Sequence, residues 1–193
     1  MAHLALQYVI VPGWQGSPEQ HWQSHWQRVL PNAVRVQQRN WLVPQRADWV
    51  AELQRTIAAA PGPVILIAHS LGCITTAAWA AQADAISLGK VKGALLVAPA
   101  DVERLGCPQA LQNFAPISRA ALPFASLLLG SSNDSAATPQ RAAQLALGWG
   151  SEWLILPGVG HINVASGHLT WEQGFAWLYR LQARIERLAR RRA

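Results

Sequence analysis

Ser70 stands between an apolar run and a helical segment, a setting in which a hydroxyl can become a nucleophile. Val64-Ile65-Leu66-Ile67-Ala68 is apolar throughout and rich in β-branched residues, the composition of a buried strand. Ala68-His69-Ser70-Leu71-Gly72 follows at once, and residues 74–82 read as an Ala-rich helix. Strand, sharp turn with serine, then helix is the context of an activated serine. Such a turn is tight where strand and helix converge. The residues two before and two after the serine must therefore be small, and Ala68 and Gly72 are. The usual pattern has glycine in the first of these places; Ala68 replaces it here. The hydroxyl then stands above the carboxyl end of the strand. The first N–H groups of the helix point to where an oxyanion would form.

An activated serine needs a base and a group to orient that base. Asp134 follows a predicted strand at 125–130, in the polar turn Ser131-Ser132-Asn133-Asp134-Ser135. His161 follows a predicted strand at 153–156, in the Gly-rich loop Pro157-Gly158-Val159-Gly160-His161. Both loops belong to carboxyl ends of strands, as Ser70 does. Asp101, after a strand at 93–98, is an alternative acid, and His168 an alternative base. His69 adjoins the serine, but neighbours at such a turn point apart, so it reads as structural. The oxyanion donors expected are the N–H of Leu71 and the N–H of Trp14, the latter in the loop Pro12-Gly13-Trp14. His21 and His25 have the i, i+4 spacing of metal ligands, yet no third ligand is near; exposed helix residues are the favoured reading. No metal and no cofactor is expected.

These residues need a scaffold that collects strand ends. Residues 4–11 read as the first strand. Ser17-Pro18-Glu19-Gln20 reads as a capping box opening a helix with Trp22, Trp26, Val29 and Leu30 on one face. A short strand at 33–37, a loop at 40–45 and a helix at 48–60 follow, the helix stopped by Pro61-Gly62-Pro63. After the Ser70 helix come a turn at 89–92, the strand at 93–98 and a long irregular stretch at 99–123. That stretch, with four prolines, is a candidate pocket wall or lid. Thr138-Pro139 caps a helix to 147, and Thr170 opens the last helix with Phe175, Leu178, Leu181, Ile185 and Leu188 inward. Alternating strands and helices predict a parallel sheet covered on both faces, with ligands outside the carboxyl ends of its strands. No repeat or linker interrupts residues 1–193, read as a single domain.

The chain has a net charge of +6, but six of its arginines lie at or beyond Arg180. The rest is nearly balanced, so the basicity reads as a solvated helix end, and no nucleic acid partner is expected. No apolar stretch reaches the roughly 18 residues of a membrane span. The start of the chain lacks a basic segment and reads as a strand rather than a signal peptide. Two cysteines, Cys73 and Cys107, form no disulfide framework or zinc pattern, and a cytoplasmic location is expected.

The order Ser70, Asp134, His161 is that of α/β-hydrolases. Together with Val11-Pro12-Gly13-Trp14, Leu122-Pro123-Phe124-Ala125-Ser126, Ser131-Ser132-Asn133-Asp134 and Gly160-His161-Ile162-Asn163, the turn Ala68-His69-Ser70-Leu71-Gly72 resembles the small serine hydrolases related to retinoblastoma-binding protein nine. The matching pieces span nearly the whole chain. The resemblance implies a three-layer α/β-hydrolase-like sandwich of about six mostly parallel strands, with no large cap domain. It also implies the triad Ser70, Asp134 and His161 and a pocket for a modest-sized acyl substrate. A Leu-x-Cys-x-Glu motif is missing: Leu105-Gly106-Cys107-Pro108-Gln109 ends in Gln, so retinoblastoma-protein binding is not expected. The function expected is hydrolysis of a small ester, thioester or amide through an acyl-enzyme on Ser70. An acyltransferase, or a non-catalytic binding protein on the same fold, is the alternative.

Overall fold

The structure, a computed structural model, describes residues 6–191. Leu4 and Ala5, expected to open the first strand, lie outside the described residues. Six strands form one parallel sheet: β1 (Gln7–Val11), β2 (Ala33–Arg35), β3 (Val64–His69), β4 (Val91–Val97), β5 (Ala125–Ser131) and β6 (Glu152–Leu156). Their order across the sheet is β2-β1-β3-β4-β5-β6. The chain moves outward from β1 to β2, then crosses back to β3. Loops leaving β1 and β3 therefore diverge to opposite sides and open a crevice between them.

The helices are α1 (Trp22–Val29), α2 (Arg46–Ala59), α3 (Leu71–Ala80), α4 (Ala85–Lys90), α5 (Pro139–Trp149) and α6 (Gly174–Arg190). The central strands are apolar on both faces because helices cover both. Val64, Leu66 and Ala68 of β3 pack with Trp49, Leu53 and Ile57 of α2 and with α3 and α5. Ile65 and Ile67 face the other way, toward Trp22 and Trp26 of α1 and Leu178 and Leu181 of α6. An aromatic group of Trp22, Trp26, Trp171 and Phe175 fills this second core, with ring centroids 4.3–5.6 Å apart. This is the predicted architecture, without a large cap.

Several boundaries differ from expectation. Helix α1 starts at Trp22, capped by His21, whose Nδ1 accepts the Gln23 N–H; Ser17 does not cap it. The Ser17 hydroxyl instead donates to Gln23 Oε1, a tertiary partner that a local pattern cannot reveal. Val29, expected inside, is exposed. The expected turn at 89–92 is the end of α4, whose N-cap Asp84 accepts the Ser87 N–H, and the start of β4. Helix α6 begins at Gly174 rather than Thr170 because Trp171, at φ 46°, interrupts the chain before it. The helix end is also less free than expected: Arg184 and Arg180 meet Glu152 of β6 at 3.3 and 3.6 Å, and Arg184 donates to Ser126 O. Among the described residues, no helix is long and apolar enough to cross a membrane.

Candidate active site

Ser70 directly follows β3, and its amide donates to Val97 O, so the sheet ladder holds it up to the turn. Its φ of 53° and ψ of −120° are unfavourable for a side-chain-bearing residue. Close packing maintains this strain. A Cβ on Gly72 would lie 2.3 Å from Val11 O and 2.8 Å from Pro12 O, so the end of β1 rests directly on the first turn of α3. Gly13 is as constrained, since a Cβ there would lie 2.8 Å from the Ser70 Cβ.

His161 and Asp134 come to Ser70 from two neighbouring loops. The His161 Nε2 is 2.9 Å from Ser70 Oγ, and its Nδ1 is 2.9 Å from both carboxylate oxygens of Asp134. A carboxylate only accepts, so Nδ1 carries the proton and Nε2 offers its lone pair to the Ser70 hydroxyl. The Asp134 side chain is 2% exposed and also accepts the Ala136 N–H. Asn133 Oδ1 accepts the Gly160 N–H at 2.7 Å, which ties the Asp134 turn to the His161 loop.

The His161 loop rests on side chains that the sequence patterns did not single out for this purpose. Trp22 Nε1 donates to Ile162 O at 2.8 Å, and His69 Nε2 donates to His161 O at 2.9 Å. Ile162 is fully buried with φ 48°, a strained state that these contacts hold. Burial, then the nearby His161 and His21, keeps the His69 pKa well below the usual histidine range. It is therefore a neutral support, as expected of a structural residue. Gln23, also missed, is fully buried; its Nε2 donates to Val11 O and Ile67 O, joining the ends of β1 and β3 below the crevice. Its only sequence signal is a polar residue beside Trp22.

The alternatives lie elsewhere. Asp101 pairs with Arg141 at 3.2 Å, and His168 bonds Ser166; neither reaches the Ser70–His161 pair. The N–H groups of Leu71 and Trp14 have no protein acceptor among the described residues, and the Trp14 ring donates to Leu42 O. A cleft of about 430 Å³ opens at Ser70 and His161, lined by Trp14, Pro18, His21, Asn163, Val164 and Ala165 among others. The stretch 99–123 does not line it: Leu111, Phe114 and Ile117 pack into the core instead. His21 is 3% exposed, so the expectation of an exposed residue fails; no group suited to a metal occurs among the described residues.

Solved structures repeat this fold. A protein described as a YdeN-like hydrolase from Pectobacterium atrosepticum superimposes with a TM-score of 0.81 at 32% identity, over 93% of this chain and 92% of that one. The ydeN gene product of Bacillus subtilis matches at 0.77 and 18% identity, over 93% and 100%. A thermophilic esterase from Thermogutta terrifontis matches at 0.65 and 13% identity, over 95% and 91%. No curated protein matched the chain significantly. Residues 8–180 match the family described as serine hydrolase, a span that takes in every strand but the first residue of β1 and nearly all the helices. With the related Pectobacterium structure, that match leaves one assignment: the chain belongs to the serine hydrolase family.

Proposed function

We propose that this serine hydrolase cleaves small esters, thioesters or amides through an acyl-enzyme on Ser70. The observation that carries the reading is the continuous hydrogen-bonded array from Ser70 Oγ through His161 to Asp134, at the mouth of a cleft. His161 Nε2 takes the hydroxyl proton as Ser70 Oγ bonds to the substrate carbonyl carbon. Asp134 holds the imidazole in the required tautomer and stabilises its charged form. The free N–H groups of Leu71 and Trp14 donate to the developing oxyanion. The imidazolium then protonates the leaving group as its bond to the carbonyl carbon breaks. Water, deprotonated by His161, bonds to the acyl carbon, and the imidazolium returns its proton to Ser70 Oγ as the bond from that oxygen to the acyl carbon breaks. No step calls for a metal or organic cofactor. A cleft of about 430 Å³ suits a substrate of modest size. The two cysteines, both free and buried, support a cytoplasmic setting.

Hydrolysis of p-nitrophenyl acyl esters tests the reading. Ser70→Ala should lower turnover by about 10⁴- to 10⁶-fold with the fold retained. Substantial ester cleavage by the folded variant would overturn the assignment. Replacing the Trp14 amide by an ester deletes one oxyanion donor, and turnover should fall by about 10²- to 10³-fold.

A further inference from the structure

His21 is a buried imidazole in the wall of the cleft that the chemistry above does not use. Its Nδ1 is committed, since the Gln23 N–H donates to it at 3.1 Å to cap α1. Burial first, then the charges of Arg35, His161 and His168, hold its pKa down at about 3. Near neutral pH the ring is therefore uncharged, with its one proton on Nε2. No protein group accepts that proton among the described residues. The only side-chain polar atoms there that are sealed from solvent and make no hydrogen bond are Gln38 Oε1 and Arg141 Nε, the latter held in the ion pair with Asp101. His21 Nε2 is unpartnered and not among them, so it is reached from the cleft that His21 lines.

The ring is also rigid. It packs against His69, centroids 5.0 Å apart, and against Trp22 at 5.4 Å, while the cap bond fixes its rotation. His69 in turn packs against His161 at 4.9 Å, so the free N–H is oriented by the framework that orients the Ser70 base. A fixed donor beside a reacting centre discriminates by what it would lose: a substrate without an acceptor leaves it desolvated and unpaired. The rest of the cleft wall near Ser70 carries no Lys, Arg, Asp or Glu, so the matching acceptor is uncharged.

Given that this is an ester-cleaving site, we propose that His21 is a specificity residue whose Nε2–H donates to a neutral oxygen on the substrate, distinct from the reacting carbonyl. The favoured substrate class is then oxygen-bearing acyl compounds (ether, hydroxyl or second carbonyl) over plain aliphatic ones of equal length.

The test uses two isosteric series: p-nitrophenyl esters of pentanoate, 3-methoxypropanoate and ethoxyacetate, and butyl against 2-methoxyethyl butanoate. Each comparison exchanges one methylene for an ether oxygen. The readout is the kcat/KM ratio of oxa ester to plain ester. His21→Phe keeps the ring packing and removes the donor, while His21→Asn keeps a helix cap but its shorter amide places no N–H at the Nε2 position, so a folded form of either serves. The wild type should prefer the oxa ester in at least one series, and the variant should lose about three- to tenfold of that ratio. A merely structural role would depress both esters alike and leave the ratio unmoved. An unmoved ratio, or no oxa preference in an active wild type, overturns the proposal and leaves the hydrolase reading intact. A folded wild type that cleaves none of these esters and does not react with a fluorophosphonate overturns both.

Discussion

The turn at Ser70 and the loop at His161 supply the two ends of one hydrogen bond, yet the protein holds them differently. Ser70 sits over the centre of the sheet, where β1, β3 and β4 meet. Backbone packing sets its position: Val11 O and Pro12 O lie against Gly72, and Val97 O takes the Ser70 amide. His161 follows β6, an edge strand. Its loop is held by side chains from distant elements: Trp22, His69, Ser132 and Asn133. On the proposed mechanism the nucleophile is held by close-packed backbone and the base by side-chain hydrogen bonds. The Ser70 turn should therefore fail by unfolding and the His161 loop by misalignment.

Short of removing Ser70 itself, the largest effect should come at the far end of the His161 array. Asp134→Asn presents the wrong tautomer to Ser70 and should lower kcat by about 10⁴-fold with little change in Tm. Asp101→Asn breaks the pair with Arg141 and should do the reverse, costing about 1–3 kcal/mol of stability while sparing kcat. Kinetics and denaturant titration on the two variants separate the roles; the opposite ranking would exchange them.

Gly72→Ala probes the other turn. Its new methyl meets backbone oxygen rather than a pliable side chain, so a stability loss of about 3 kcal/mol is expected by urea unfolding. Wild-type stability would mean that the end of β1 can move, and the contrast between the turns would weaken.

The acid response sharpens the contrast further. His21 and His69 are held neutral beneath the His161 loop. A histidine whose folded pKa is depressed contributes stability that is complete above its unfolded pKa, about 6.5, and is lost as pH falls toward the folded value. For His21 that window runs from about 6.5 down to about 3. Wild-type stability should fall more steeply below pH 6.5 than that of His21→Asn, by up to about 1.4 kcal/mol per pH unit. Parallel slopes would show that His21 accepts a proton in the folded state.

Trp22→Phe keeps an aromatic ring in the second core but loses the bond to Ile162 O. A cost of about 1 kcal/mol is expected by unfolding. Activity should drop about tenfold through displacement of His161. A drop in stability alone would make Trp22 a core residue only. The smallest effect belongs to the basic end. Among the described residues Arg190 pairs only with Glu186, and both are exposed, so deleting residues 190–193 should leave kcat/KM unchanged and stability within about 0.5 kcal/mol. A large activity loss in the folded truncation would give that segment a role at the site.

The contrast also explains what the sequence could reveal. The juxtaposition of Ser70, Asp134 and His161 was legible because each follows a strand in locally readable turn chemistry: small residues, a polar cluster, glycines. The sheet was legible from apolar runs covered by alternating helices. The supports of the His161 loop were not. Trp22 and Ile162 are 140 residues apart, and periodicity marks a tryptophan as core without saying where its N–H goes. His21 misled for a related reason. Ser17-Pro18-Glu19-Gln20 has the form of a capping box, but Gln23 draws the Ser17 hydroxyl away, and an imidazole nitrogen takes the acceptor role that Asn or Asp usually plays.

The central claim is that Ser70 is the activated nucleophile. Reaction of the folded protein with a fluorophosphonate, followed by intact mass and peptide mapping, tests it without knowledge of the substrate. One adduct per chain should form, on the peptide bearing Ser70. It should vanish in Ser70→Ala and slow markedly in His161→Ala. An adduct on another residue, or none on a protein that still cleaves esters, would contradict the account.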